Sequence, residues 1–168
     1  MTQVVDAFVG LGSNLDGPEQ QVRHALTALD GLPGTALYRA SGLYRSRPMG
    51  PADQPDYINA VAWLHTALAP DELLDEMQAL EVASGRRRQG ERWGPRPLDL
   101  DLLAWADESC RSERLVLPHP GIAERAFVLL PWAEIAPEFA PPGLTPVGAL
   151  ALRVESDGIW PLAGAAPA

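Results

Sequence analysis

Six apolar segments follow one another between Val4 and Trp105, and their order constrains the fold more than any other feature of the chain. Val4 to Leu11 is a continuous apolar run that stops at Gly12, the pattern of a buried strand. Asp16-Gly17-Pro18-Glu19 then opens a helix, with proline near the first helical position and an acid in the first turn. Val22, Ala25, Leu26 and Leu29 recur at helical spacing, and Gly31 ends the helix. Ala36 to Arg45 reads as a second strand carrying Tyr38 and Tyr44. Pro48, Gly50, Pro51 and Pro55 interrupt it with a loop. Tyr57 to Thr66 is the third strand. Alternation sets Tyr57, Asn59, Val61 and Trp63 on one face and Ile58, Ala60, Ala62 and Leu64 on the other. Pro70-Asp71-Glu72 starts a second helix with Leu73, Leu74, Met77 and Leu80 as its apolar stripe. Gly85 closes it, Arg86 to Pro97 is a loop, and Leu98 to Trp105 is the fourth strand.

The order strand, helix, strand, strand, helix, strand predicts an α+β, ferredoxin-like βαββαβ sandwich, an antiparallel sheet with both helices on one face. The remaining residues elaborate it, with helices expected over Ala123 to Trp132 and Val147 to Leu152. At 168 residues the chain is expected to form a single domain over residues 1–160, followed by a loose tail over 161–168. Such a fold hosts many functions, so function has to come from particular residues.

Thirteen basic residues against 22 acidic ones give a net charge of −9, which argues against a broad nucleic-acid surface. All 13 are arginine, so lysine chemistry, from the P-loop to Schiff bases, is excluded. Cys110 is the one cysteine, which rules out an intrachain disulfide and a thiolate metal cluster. No apolar run approaches the length of a membrane span and Met1 to Asp6 carries no basic leader, so a cytoplasmic protein with no membrane partner is expected.

Leu98-Asp99-Leu100-Asp101-Leu102 carries the sharpest chemistry. On a strand, Asp99 and Asp101 project from one face about 7 Å apart, and the leucines pack on the other. Two such carboxylates repel unless a cation neutralises them, and hard oxygen donors in a pair suit Mg²⁺ shared with substrate phosphates. Asp-x-Asp alone is equally the polar side of a half-exposed strand. The preceding loop alters that balance, because Arg86, Arg88, Arg92 and Arg96 precede the aspartates and guanidinium forks match phosphate oxygens. Metal carboxylates beside phosphate-binding arginines suit phosphoryl transfer by positioning and electrostatics. Gly85, Gly90 and Gly94 would let the loop close as a lid, and Trp93 within it could stack on a ligand or pack on the scaffold. Tyr57 and Asn59 share a strand face, where an amide could pair with the edge of a heterocycle.

Three segments resemble the 6-hydroxymethyl-7,8-dihydropterin pyrophosphokinase family of folate biosynthesis: Gly12-Ser13-Asn14-Leu15, Asp53-Gln54-Pro55-Asp56-Tyr57-Ile58-Asn59-Ala60, and Glu91-Arg92-Trp93-Gly94-Pro95-Arg96-Pro97-Leu98-Asp99-Leu100-Asp101. Val116-Leu117-Pro118-His119 adds a fourth, and the four occur in family order. The resemblance implies transfer of pyrophosphate from ATP to the pterin hydroxymethyl group, with AMP released. It implies that Asp99 and Asp101 hold two Mg²⁺ ions and that Arg86 and Arg92 are catalytic. Gln78, Glu81, Arg88, Trp93, Arg96, Arg114, His119 and Arg125 fall at nucleotide positions. Ser46, Arg47, Met49, Tyr57, Asn59 and Phe127 fall at pterin positions. His119, between two prolines, could equally fix a turn. The chain departs from the family's pattern at Arg47, Gln89, Val116 and Pro120. A monomer acting on ATP and the pterin is expected. Two other classes stay open on the residues alone: a nucleotide- or RNA-binding module, and a metal-dependent phosphohydrolase.

Overall fold

A computed structural model describes residues 3–15, 17–47, 55–84 and 97–162. The strands are β1 (Val5–Ser13), β2 (Thr35–Ala40), β3 (Tyr44–Ser46), β4 (Tyr57–Thr66), β5 (Asp99–Trp105), β6 (Cys110–Arg111), β7 (Val116–Leu117) and β8 (Ile159–Pro161). The α-helices are α1 (Pro18–Asp30), α2 (Pro70–Ala83), α3 (Ala126–Ile135) and α4 (Val147–Arg153). The main sheet runs β5-β1-β4-β3-β8, with β2 also on β4, and its pairings are antiparallel. The first, second, third and fourth expected strands thus stand in the order fourth-first-third-second, which is the ferredoxin-like arrangement.

Local sequence explains the helices. In α1, Gly17 takes a left-handed backbone (φ 73°) ahead of Pro18, and Val22, Ala25 and Leu29 are buried. In α2, Pro70 occupies the first turn and Glu72 Oε1 accepts the Ala69 N–H at 2.8 Å, satisfying a donor the helix leaves unpaired. Both helices lie on one face of the sheet, where Val22, Leu29, Leu73 and Met77 pack with Ala7, Val9, Leu11, Ile58, Ala60, Leu64, Leu100 and Leu102. This is the face that alternation assigned to Ile58, Ala60, Ala62 and Leu64.

The second face is covered as well. Val128, Leu129, Trp132 and Ile135 of α3 and Val147 and Leu150 of α4 pack on Phe8, Val61 and Leu103. Phe8 anchors this layer, with ring centroids 5.2 Å from Trp132 and 4.7 Å from Phe139. The domain therefore has three layers.

Four expectations need correction. Gly12 does not end β1; pairing continues through Ser13 to Ile58. The strand expected over Ala36 to Arg45 is broken between β2 and β3. The Ser41 hydroxyl accepts the Val61 N–H at 2.9 Å, so a side chain replaces a ladder carbonyl where residues 41–43 leave the strand. The helix expected over Ala123 to Trp132 is a 3₁₀ turn, Ile122–Glu124, followed by α3, because Arg125 is extended (φ −113°, ψ 98°). Of the tail expected over 161–168, Pro161 instead ends β8, which pairs with β3, and the Leu162 N–H reaches Leu43 O at 3.0 Å, while residues 163–168 lie outside the described residues.

Candidate active site

The antiparallel register places Tyr44, Asn59, Gly12 and Asp99 in one row across four strands. The next row holds Val61, Gly10 and Asp101. All belong to the face shared with α3. Strands about 4.8 Å apart separate Asn59 from Asp99 by roughly 10 Å, with Gly12 between them. Along this face β1 carries Asp6, Phe8, Gly10 and Gly12, so bulk falls to nothing toward the site. Phe8 is covered by α3; the two glycines let neighbouring side chains close over the strand, Leu103 over Gly10 and the Asn59 amide and Tyr57 ring over Gly12.

The two aspartates are half-buried, one pleat apart on β5. Leu100 between them is buried, and its N–H is accepted by Glu81 Oε2 at 2.8 Å. Glu81 is itself buried on α2, so this edge strand is held from outside by a carboxylate as well as from inside by β1. His119 Nε2 stands 3.7 Å from Asp101 Oδ1. Its Nδ1 lies 2.6 Å from Pro120 O, and its own N–H donates to Leu103 O at 3.0 Å. The carbonyl at Nδ1 requires a proton there, which leaves Nε2 to face Asp101.

At the other end of the row, Ser46 Oγ donates to Asn59 Oδ1 at 2.5 Å, and both residues are buried. That bond orients the amide with Nδ2 toward Gly12. Tyr57 lies on the same face one pleat away, opposite Ser46. Asn14 Nδ2 donates to Pro55 O at 3.0 Å, tying the end of β1 to the chain entering β4. The Ser-Asn-Leu segment therefore builds the site by fixing that loop end.

The structure brings the other expected residues into smaller groups. Arg114 bonds through Nη2 to Asp75 and, at 3.4 Å, to Gln78 Oε1, so two nucleotide candidates meet on the outside of α2. The Arg125 guanidinium sits over the Phe127 ring, 5.8 Å from its centroid, where α3 begins. Arg47 is exposed; its N–H donates to Gly158 O at 2.9 Å, and its stem packs on Gly158. Arg86, Arg88, Arg92, Trp93, Arg96 and Met49 lie outside the described residues.

Two parts of the site escaped sequence reasoning. Gly10 and Gly12 carried a readable signal, since two glycines at i and i+2 in a strand mark close approach by another group. Asp75 carried none, because it acts across a tertiary contact to Arg114.

The donor set suits Mg²⁺. Asp99 and Asp101 offer hard oxygens on one face, and among the described residues no group of three or more His, Cys, Asp or Glu could cage a metal. Two protein carboxylates leave positions for water and phosphate oxygens, which is how Mg²⁺ is usually held.

A family model described as 7,8-dihydro-6-hydroxymethylpterin-pyrophosphokinase matches residues 8–137. A Pseudomonas aeruginosa 2-amino-4-hydroxy-6-hydroxymethyldihydropteridine pyrophosphokinase is 46% identical over 158 residues, covering 94% of this chain and 97% of the relative. The enzyme of that name from Haemophilus influenzae is 46% identical over 139 residues, 83% of this chain and 86% of the relative. Among solved structures, Plasmodium falciparum HPPK-DHPS with pteroate superposes with a TM-score of 0.72 at 13% identity, a likeness of fold. It covers 91% of this chain, which spans 43% of that longer one. The chain belongs to the 7,8-dihydro-6-hydroxymethylpterin-pyrophosphokinase family.

Proposed function

We infer that this protein transfers the β,γ-pyrophosphoryl group of ATP to 6-hydroxymethyl-7,8-dihydropterin, a step of folate biosynthesis. The observation that carries the reading to individual residues is the row on one sheet face: metal-type carboxylates at one end, a fixed amide at the other, and Gly12 between. The pterin hydroxymethyl oxygen attacks the β-phosphorus. A new P–O bond forms as the bond from that phosphorus to the α,β-bridging oxygen breaks, and AMP departs with the oxygen and the electron pair. The hydroxyl proton leaves to solvent.

Asn59, oriented by Ser46, pairs with the edge of the heterocycle, and Tyr57 and Phe127 take its two faces, with Ser46, Arg47 and Met49 beside it. The missing side chain at Gly12 lets the Asn59 amide and the Tyr57 ring lie close against the strand, and the ring they hold turns its hydroxymethyl arm toward Asp99 and Asp101. These two aspartates would hold two Mg²⁺ ions. Bound there, Mg²⁺ would neutralise phosphate charge and ease ionisation of the attacking hydroxyl. Glu81 keeps the aspartates in register through Leu100. Gln78, Arg88, Trp93, Arg96, Arg114, His119 and Arg125 surround the nucleotide. Arg86 and Arg92 neutralise charge that builds as the β-phosphorus is attacked, so Arg92→Ala lowers kcat more than it weakens ATP binding.

Among the described residues no helix is long and apolar enough to cross a membrane. The protein acts as a monomer in the cytoplasm, and its acidic charge supports small-molecule substrates rather than nucleic acid. The test is a product assay with ATP, Mg²⁺ and the pterin. Pterin-dependent AMP without ADP is expected. ADP or free phosphate would make the protein an ordinary kinase or a hydrolase on the same carboxylates, and the inference would fall.

A further inference from the structure

Glu134 lies on α3, seven residues after Phe127 and therefore on the same side of the helix about 10 Å along the axis. Its two carboxylate oxygens are engaged separately. Oε1 accepts the Tyr44 hydroxyl at 2.7 Å, and Oε2 accepts the Gly42 N–H at 2.9 Å. Gly42 sits in the break between β2 and β3, and Tyr44 opens β3. Tyr44 is the cross-strand partner of Asn59, and Ser46, two residues on, donates to the Asn59 amide. One carboxylate thus ties the helix that carries Phe127 to the short strand that flanks and orients Asn59.

We propose that Glu134 is a positioning residue for the pterin: by bonding Tyr44 and Gly42 it fixes the spacing between the Phe127 end of α3 and the Ser46–Asn59 pair. The proposal rests on the reading of Asn59 and Phe127 as pterin contacts. β3 has only three residues, paired with β4 on one side and the equally short β8 on the other, and residues 41–43 before it belong to no strand. The brace adds what pairing within the sheet does not supply, a tie between this strand and the helix layer. Burial, the hydrogen bond to Glu134 and the nearby carboxylate charge all hold the Tyr44 hydroxyl above its ordinary pKa, so it stays a donor across the neutral range.

Two variants test the brace. Tyr44→Phe keeps the ring and removes one donor; Glu134→Gln keeps the shape but gives up one of two acceptors. Each is expected to raise the KM for the pterin roughly 10- to 100-fold, the scale of one hydrogen bond to a charged group, and to leave the KM for ATP within about twofold. The double variant is expected to be no worse than about twofold beyond the weaker single, because both changes break one link. A general structural role would instead lower the active fraction, reducing kcat while leaving both KM values unmoved. Unchanged pterin KM in a folded Tyr44→Phe protein, or equal weakening of both substrates, would overturn the proposal. A parent protein that shows no saturable dependence on the pterin would remove the underlying reading, and the proposal with it.

Discussion

Replacing Gly12 by alanine adds one methyl beneath the Asn59 amide and the Tyr57 ring. Gly12 does not sit at positive φ, so alanine meets no backbone strain there. An added Cβ would stand 3.2 Å from Asn59 Nδ2 and 3.7 Å from Tyr57 Cδ1. The first contact is a few tenths of an ångström too close. The amide cannot swing away cheaply, because Asn59 is buried and its Oδ1 is held by Ser46 at 2.5 Å. Stability should scarcely change: alanine gains about 0.5–1 kcal/mol over glycine inside a strand, and a similar sum is lost to the tight contact. Binding should change much more. Misaligning one amide hydrogen bond costs about 1 kcal/mol, and a methyl pushed into the face of a flat ring costs about 1–3 kcal/mol. A total near 3 kcal/mol is roughly a hundredfold in kcat/KM for the pterin. The assay is AMP release at varied pterin and saturating ATP, with a thermal melt beside it. The expected result is a hundredfold loss in pterin kcat/KM, an ATP KM within twofold and a Tm within about 3 °C. A pterin kcat/KM within threefold of the parent would refute the role of Gly12 in seating Asn59 and Tyr57.

Other outcomes follow from the same geometry. Asp99→Asn and Asp101→Asn should each lower turnover by about 10²–10³-fold at fixed Mg²⁺, the usual cost of removing one group that stabilises transition-state charge, while circular dichroism stays unchanged. Glu81→Ala strands the buried Leu100 N–H and should cost about 1–3 kcal/mol, read as a Tm loss of roughly 3–10 °C. The folded state keeps the Tyr44 proton while the unfolded chain releases it from about pH 10 upward, so stability conferred by this group is complete below that pH and declines above it. Urea melts between pH 8 and 11 should show that decline, and Tyr44→Phe should flatten it.

The first half of the fold was legible because its signals are local. Alternation in Tyr57 to Thr66 assigned Ile58, Ala60, Ala62 and Leu64 to the helix-covered face, and these residues are buried there. Proline at the start of α1 and α2 marked both helices. The strand over Ala36 to Arg45 misled because Ser41-Gly42 in its middle looks like an ordinary interruption of a strand; the break lies where the Ser41 hydroxyl bonds across to Val61, a partner 20 residues away. The end of the chain misled for a related reason. Ile159–Pro161 is too short, and too close to Gly158 and Pro161, to read as a strand by itself, and it is held by pairing with β3.

The sequence by itself determined the strand, helix, strand, strand, helix, strand order of the first hundred residues, which residues of Tyr57–Thr66 share each face, the carboxylate pair on β5 and the family to which these motifs point. Hydrophobic period, caps and breakers act over a few residues, so they can be read without knowing what lies opposite. Only the tertiary structure decided the rest. It set Gly12 between Asn59 and Asp99, engaged Glu81 at the edge of the aspartate strand, and joined Glu134 to Tyr44 and Gly42. Each of these depends on strand register or on a side chain reaching another layer. Register is fixed by the whole buried face at once, because a slip of one residue would turn every apolar side chain outward.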